Sequence, residues 1–263
     1  MSAPAAGPGL IEGALRRDRV VVAAGLAAIT AIAWVSVVQM AREMSPTASM
    51  AMPMSGSSGA PALGWLVPMW IVMMVAMMLP SAAPTILLFA SVARRRRSQG
   101  VATASAAVFT LGYLLIWAVY AALAATVQWK LHEAALLSPA MVSASPWLGG
   151  GLLVAAGVYQ WLPVKDACLA HCRSPLGFLS SEWREGVSGA LVMGVRHGSF
   201  CVGCCALLMA LLFVAGVMNL LWVAAIAIFV LAEKLGPGGR WLGRASGLLM
   251  IAWGIWVIVP VRG

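Results

Sequence analysis

Residues 65–97 read WLVPMWIVMMVAMMLPSAAPTILLFASVARRRR. No side chain from Trp65 to Ala93 carries a charge, and Arg94, Arg95, Arg96 and Arg97 then close the run. About 20 apolar residues in a helix cross the roughly 30 Å of hydrocarbon in a bilayer, and basic residues gather at the cytoplasmic side. The stretch therefore predicts a membrane-spanning helix. It is also rich in sulfur: Met69, Met73 and Met77 follow one another at i, i+4, with Met74 and Met78 on the adjoining stripe. Pro80 and Pro84 are expected to kink or end the helix and to free backbone carbonyls that neighbours must satisfy.

The remaining chain follows the same pattern. Of 263 residues 62% are hydrophobic, and the mean hydropathy is +0.94, which leaves too little polar surface to cover a globule in water. Besides 63–90, apolar segments cover 20–40, 104–127, 147–164, 220–235 and 245–259, and the long segment 187–217 is either broken or re-entrant. The expected fold is an all-α polytopic transmembrane bundle of about seven spans, six if one segment fails to cross.

Charge orients the bundle. There are 17 Lys and Arg against 8 Asp and Glu. With the N-terminus in the cytoplasm, the inner face receives Arg16, Arg17, Arg19, Arg94, Arg95, Arg96, Arg97, Lys165, Arg173, Arg184, Lys234, Arg240 and Arg244. The outer face receives Arg42, Lys130 and Arg262, with Arg196 inside a segment and uncounted. This positive-inside bias accounts for the excess of basic residues, so the expected partner is the lipid bilayer and not a nucleic acid. The first apolar run is too long for a signal peptide and no A-x-A site follows, which indicates an uncleaved anchor. Residues 1–18 form an Ala, Gly and Pro-rich cytoplasmic N-terminus expected to be disordered, and 19–263 a single helical membrane domain. No internal repeat, nucleotide-binding glycine fingerprint or catalytic-triad signature is present. An enzymatic role is not indicated.

Sulfur marks the candidate chemistry. Ten of the 16 Met fall within residues 40–78, and four of these, Met44, Met50, Met52 and Met54, lie in the loop 42–62 on the expected outer face. Loop Met gains little from packing, so these residues are candidates for external capture of a soft ion. In GVSGALVMGVRHGSFCVGCCALLMALLFVAG, residues 186–216, a continuous helix places Met193, His197, Cys201 and Cys204 on one face, which Cys205 and Met209 extend. Donors one turn apart can share an ion, but His197 and Cys205 are about 12 Å apart along a regular helix, unless Gly198 and Ser199 break it. A third group, Cys168, His171 and Cys172, occupies the expected cytoplasmic loop 165–186. It reads as a metal hand-off site or a redox pair, because the reducing cytoplasm disfavours a permanent disulfide. Thioether and thiol donors suit Cu(I), which is satisfied by two or three soft ligands; zinc is the alternative, at the cost of several thiolates in lipid. The structural alternative for the Met stripe and for buried Cys is simple core filling. Glu233, at the end of an apolar segment, is a candidate charge partner.

The runs MWIVMMVAMMLPSAAP, CLAHCRSP and HGSFCVGCCALLMALLFVAGVMNLLW, followed by Glu233 and Lys234, resemble a family of bacterial predicted metal-binding integral membrane proteins, a domain of unknown function sometimes labelled copper chaperone. The resemblance covers about residues 63–259, with Ala206 where the family has an aromatic after the Cys pair. It implies an all-helical protein of the bacterial inner membrane that binds a soft metal. Copper handling, transport or delivery is the leading function, with a metalloenzyme or a copper chaperone as a partner. The alternatives are a non-catalytic subunit or assembly factor of a membrane metalloenzyme, and a thiol-redox membrane protein.

Overall fold

The computed structural model describes residues 8–43, 63–101, 103–137, 143 and 145–259. The external capture candidates Met44, Met50, Met52 and Met54 lie outside these residues. Among the described residues ten helices follow in order: α1 (Pro8–Glu43), α2 (Leu63–Ser98), α3 (Ala106–Glu133), α4 (Pro146–Tyr159), α5 (Pro163–Arg173), α6 (Pro175–Glu182), α7 (Gly186–Ala210), α8 (Leu212–Ala215), α9 (Leu220–Leu235) and α10 (Gly239–Ile258). Among the described residues there is no strand, only two isolated bridges, Thr103 with Gly186 and Leu137 with Ser143. Helix α1 begins at Pro8, inside the stretch expected to be disordered.

Among the described residues, five helical stretches are long and apolar enough to cross a bilayer: Arg19–Glu43, Leu63–Ser98, Ala106–Glu133, Gly186–Ala215 and Gly239–Ile258. Helices α4 and α5 form a sixth only as a broken pair, bent by 66° between Tyr159 and Pro163. The apolar segment α9 has 16 residues, about 24 Å of helix, and falls short of a full crossing by length. The membrane bundle read from the sequence is thus the fold, with five to six spans by this measure. Apolar side chains exposed on the flanks, among them Ile32, Val119, Leu123, Leu221, Leu248 and Leu249, suit a lipid surface.

Local sequence explains the helix ends. Pro occupies the first turn of α4, α5 and α6, where its missing N–H costs nothing, and the Ser145 and Ser174 hydroxyls accept the free N–H groups of Leu148 and Gly177. Residues 165–186, expected as a loop, are therefore largely helical. Three prolines, Pro68, Pro80 and Pro84, lie inside α2 without ending it. Just above Pro80, the Met78 carbonyl accepts both the Ser81 hydroxyl at 2.8 Å and the Tyr113 hydroxyl at 3.0 Å, which ties α2 to α3.

Small residues set the helix spacing, as expected where lipid is as apolar as the core. A Cβ at Gly194 of α7 would meet the Phe109 carbonyl of α3 at 2.0 Å, and one at Gly112 would meet the Leu191 carbonyl at 2.4 Å. Gly150 and Gly157 of α4 similarly face Gly254 and Gly247 of α10. Helix α7 packs with α3 along one side and α5 along another. Beyond the 66° bend from α4, α5 runs along α7, antiparallel to it. Cys168 accordingly lies at Gly203, His171 at Phe200 and, one helix further on, Phe178 at His197.

Candidate functional site

Helix α7 is continuous from Gly186 to Ala210, so Gly198 and Ser199 do not break it. The rise of about 12 Å from His197 to Cys205 therefore stands, and these two residues cannot share one ion. Cys201, Cys204 and Cys205 are each about 1% exposed and occupy one buried face.

Cys201 is the hub. Its thiol lies within interaction range of those of Cys204 and Cys205 on its own helix and of that of Cys172 from α5. The Cys204 and Cys205 thiols also reach the Cys201 carbonyl, at 3.1 and 2.8 Å. Cys205 Sγ lies 3.8 Å from Met78 Sδ of α2. Four thiols and one thioether from three helices thus meet in a dry interior, and all five cysteines of the chain are free. The fifth, Cys168, is half-buried one turn before Cys172, with its sulfur against Gly203.

Two polar side chains complete the surroundings. The Tyr113 hydroxyl of α3 sits 3.1 Å from Cys201 Sγ. The ammonium of Lys234, from the end of α9, donates to Cys201 Sγ at 2.9 Å and to Ser81 Oγ at 3.0 Å. Lys234 and its neighbour in sequence, Glu233, face opposite ways. Glu233 directs both carboxylate oxygens at Lys165 Nζ, each 2.9 Å away, and Lys165 also donates to Gln160. The Arg173 guanidinium caps the end of α9 through the Glu233 and Gly236 carbonyls. Glu233 therefore has Lys165 as its partner, and the charge beside the sulfur is that of Lys234. A fully buried ion pair of this kind is strongly destabilising to break, because either partner alone is an uncompensated buried charge.

His197 stands apart from the thiols. Its ring lies among Phe109, Tyr113 and Phe178, with centroids 6.0, 5.7 and 5.1 Å away, and its Nδ1 is buried without a hydrogen-bond partner. His171 stacks on Phe200 at 4.1 Å, with Nδ1 2.9 Å from the Ala167 carbonyl. Met193 accepts the Arg184 N–H through its sulfur at 3.4 Å. Met69, Met73 and Met77 are buried along α2, and Met209 along α7; the thioether that reaches a thiol is Met78. Met78, Tyr113, Ser81, Lys165 and Lys234 were not singled out from the sequence. The one signal available was the position of Met78 on the stripe adjoining Met69, Met73 and Met77.

Among the described residues, no three His, Cys, Asp or Glu side chains are disposed to hold a metal ion as they stand. The thiols engage one another, the Cys201 carbonyl and Lys234 instead. The donor set is nonetheless soft throughout. Two sulfurs 3.8 Å apart, each about 2.3 Å from an ion, subtend an angle of about 110° at it, close to the tetrahedral value and about 10° below the trigonal one.

Fold and site together define an all-helical membrane protein with a buried thiol and thioether cluster between α2, α5 and α7. A family model described as copper chaperone, PpoB2, matches residues 67–257, nearly three quarters of the chain, and the protein belongs to that family. No curated protein and no solved structure matches it.

Proposed function

We propose that the protein binds Cu(I) as cargo in the cluster of Cys172, Cys201, Cys204, Cys205 and Met78, and delivers it across or along a bacterial inner membrane to a copper-dependent partner. The observation that carries this reading is the meeting of Cys172 on α5 with Cys201 and Cys204 on α7. A core needs no thiols gathered from separate helices, whereas a soft ion needs donors that converge. The family description supports copper. Cys168, one turn of α5 before Cys172, and His171, next to Cys172 in sequence, are partly exposed and suit exchange with a partner at the surface. The Met of residues 42–62 suit capture at the other face, as Cu(I) favours thioethers.

The test is copper content after anaerobic loading and dialysis against a weak chelator. The wild type should retain about one Cu(I) per chain and the Cys201→Ser, Cys204→Ser, Cys205→Ser variant less than about a tenth of that, on the premise that soft sulfur supplies the binding. Equal retention by both would sink the assignment.

The same contact favours a second reading, a thiol-redox protein in which Cys172 and Cys201 pass two electrons and two protons to an oxidised dithiol partner as they form a disulfide. Thiol trapping in cells that finds all five cysteines permanently reduced rules this out.

A further inference from the structure

Lys234 is 4% exposed in a part of the molecule where Glu233 is already matched by Lys165, and the Arg173 guanidinium adds a further cation close by. Its ammonium is held in place from two sides, by Ser81 Oγ at 3.0 Å and Cys201 Sγ at 2.9 Å. Building on the reading of the cluster as a soft-metal site, we propose that Lys234 is a charge filter, whose fixed ammonium beside Cys201 admits monovalent soft cations to the cluster and excludes divalent ones.

The argument is electrostatic. An ion bound to Cys201 lies within a few ångströms of the ammonium, and a dication is repelled twice as strongly as a monocation at the same place. Burial weakens the screening that would otherwise hide the difference. Zinc overcomes such repulsion elsewhere by collecting several thiolates in a closed tetrahedral shell. Here Cys204 and Cys205 direct their thiols at the Cys201 carbonyl, which leaves Cys172 as the one further thiol beside Cys201, and the nearest donor from α2 is the neutral thioether of Met78. The Glu233 carboxylate, which would favour a dication, is turned to Lys165. A monovalent ion satisfied by two or three soft donors needs none of these anions. The sulfur of Cys201 can accept the Lys234 hydrogen bond and still offer a lone pair to the ion, so the filter remains in place while the site is filled.

The experiment is competitive equilibrium dialysis of the purified full chain in detergent under reducing conditions, with Ag(I) as a redox-stable monovalent probe and Zn(II) as the divalent one. Wild type and K234R should take up Ag(I) with no more than trace Zn(II). K234Q should raise the ratio of Zn(II) to Ag(I) by at least about tenfold, the effect of removing one unit charge at close range. An unchanged ratio in K234Q overturns the filter. So does a wild type that binds Zn(II) as tightly as Ag(I), a result that needs no variant and holds even if K234Q fails to fold. A wild type that binds no Ag(I) removes the proposed function itself, whereas Ag(I) uptake with unaltered selectivity removes the filter alone.

Discussion

The ammonium of Lys234 donates to Cys201 Sγ at 2.9 Å, joining the end of α9 to the middle of α7 inside the bundle. With Lys234 on one side, the Tyr113 hydroxyl on another and Cys204 and Cys205 on its own helix face, Cys201 is the centre of any soft-ion chemistry at this cluster.

Proximity of Cys172 to Cys201 and Cys204 predicts a cross-link. With a protease site inserted between α6 and α7, oxidation by diamide should leave the two halves joined on a non-reducing gel. Cys172→Ser should abolish the joined species; its survival in that variant would assign the cross-link to Cys168, and its absence from the wild type would show that α5 does not lie along α7 as described. Cys168→Ser should leave it unchanged.

Met78, and not the stripe of Met69, Met73 and Met77, is the thioether at the cluster. Met78→Leu, which keeps volume and apolar character, should lower Cu(I) retention severalfold with stability within about 1.5 kcal/mol of wild type. Met73→Leu should leave retention near the wild-type level. A larger loss at Met73 than at Met78, measured by the same copper analysis, would reverse this ordering.

The Lys165 and Glu233 pair is 2% exposed on both sides. Removing one partner leaves a bare buried charge, so Glu233→Gln should destabilise the protein by about 3 to 5 kcal/mol. Lys165→Met combined with Glu233→Leu should recover most of that loss. Unfolding in mixed micelles measures both, and a double variant no better than the single one would argue against a simple charge pair.

At Gly194 a side chain would collide with the Phe109 backbone of α3, which cannot move aside as a side-chain end can. Gly194→Ala should therefore destabilise by about 1 to 3 kcal/mol. Gly151→Ala, with nothing within 4 Å of the added atom, should be neutral or slightly stabilising, since Ala favours helix. Equal effects at the two positions would contradict the close approach of α3 and α7.

Much of this fold is legible in the sequence because a bilayer demands long apolar helices, and 65–97 announces one without ambiguity. The shared face of Cys201, Cys204 and Cys205 follows equally from helical periodicity. What periodicity does not contain is how separate helices meet. That Cys172 reaches Cys201 depends on how α5 lies along α7 after the 66° bend between Tyr159 and Pro163. The choice of Met78 over Met73 depends on the rotation of α2 against α7. Lys234 was set aside as a residue of the inner face, since counting charges by side assigns each Lys to the interface. Its burial depends on which way the end of α9 faces, and the side chain turns inward to Ser81 and Cys201. Periodicity likewise places His197 one turn from Cys201 but does not contain the three aromatic rings that lie around it.

The central claim is that sulfur from α2, α5 and α7 together holds Cu(I). X-ray absorption at the copper edge of the anaerobically loaded protein tests this most directly. The account predicts a first shell of two or three sulfur atoms at about 2.3 Å without nitrogen or oxygen, reduced or lost in Cys201→Ser. A shell dominated by nitrogen or oxygen, or a sulfur shell unaltered in that variant, would contradict it.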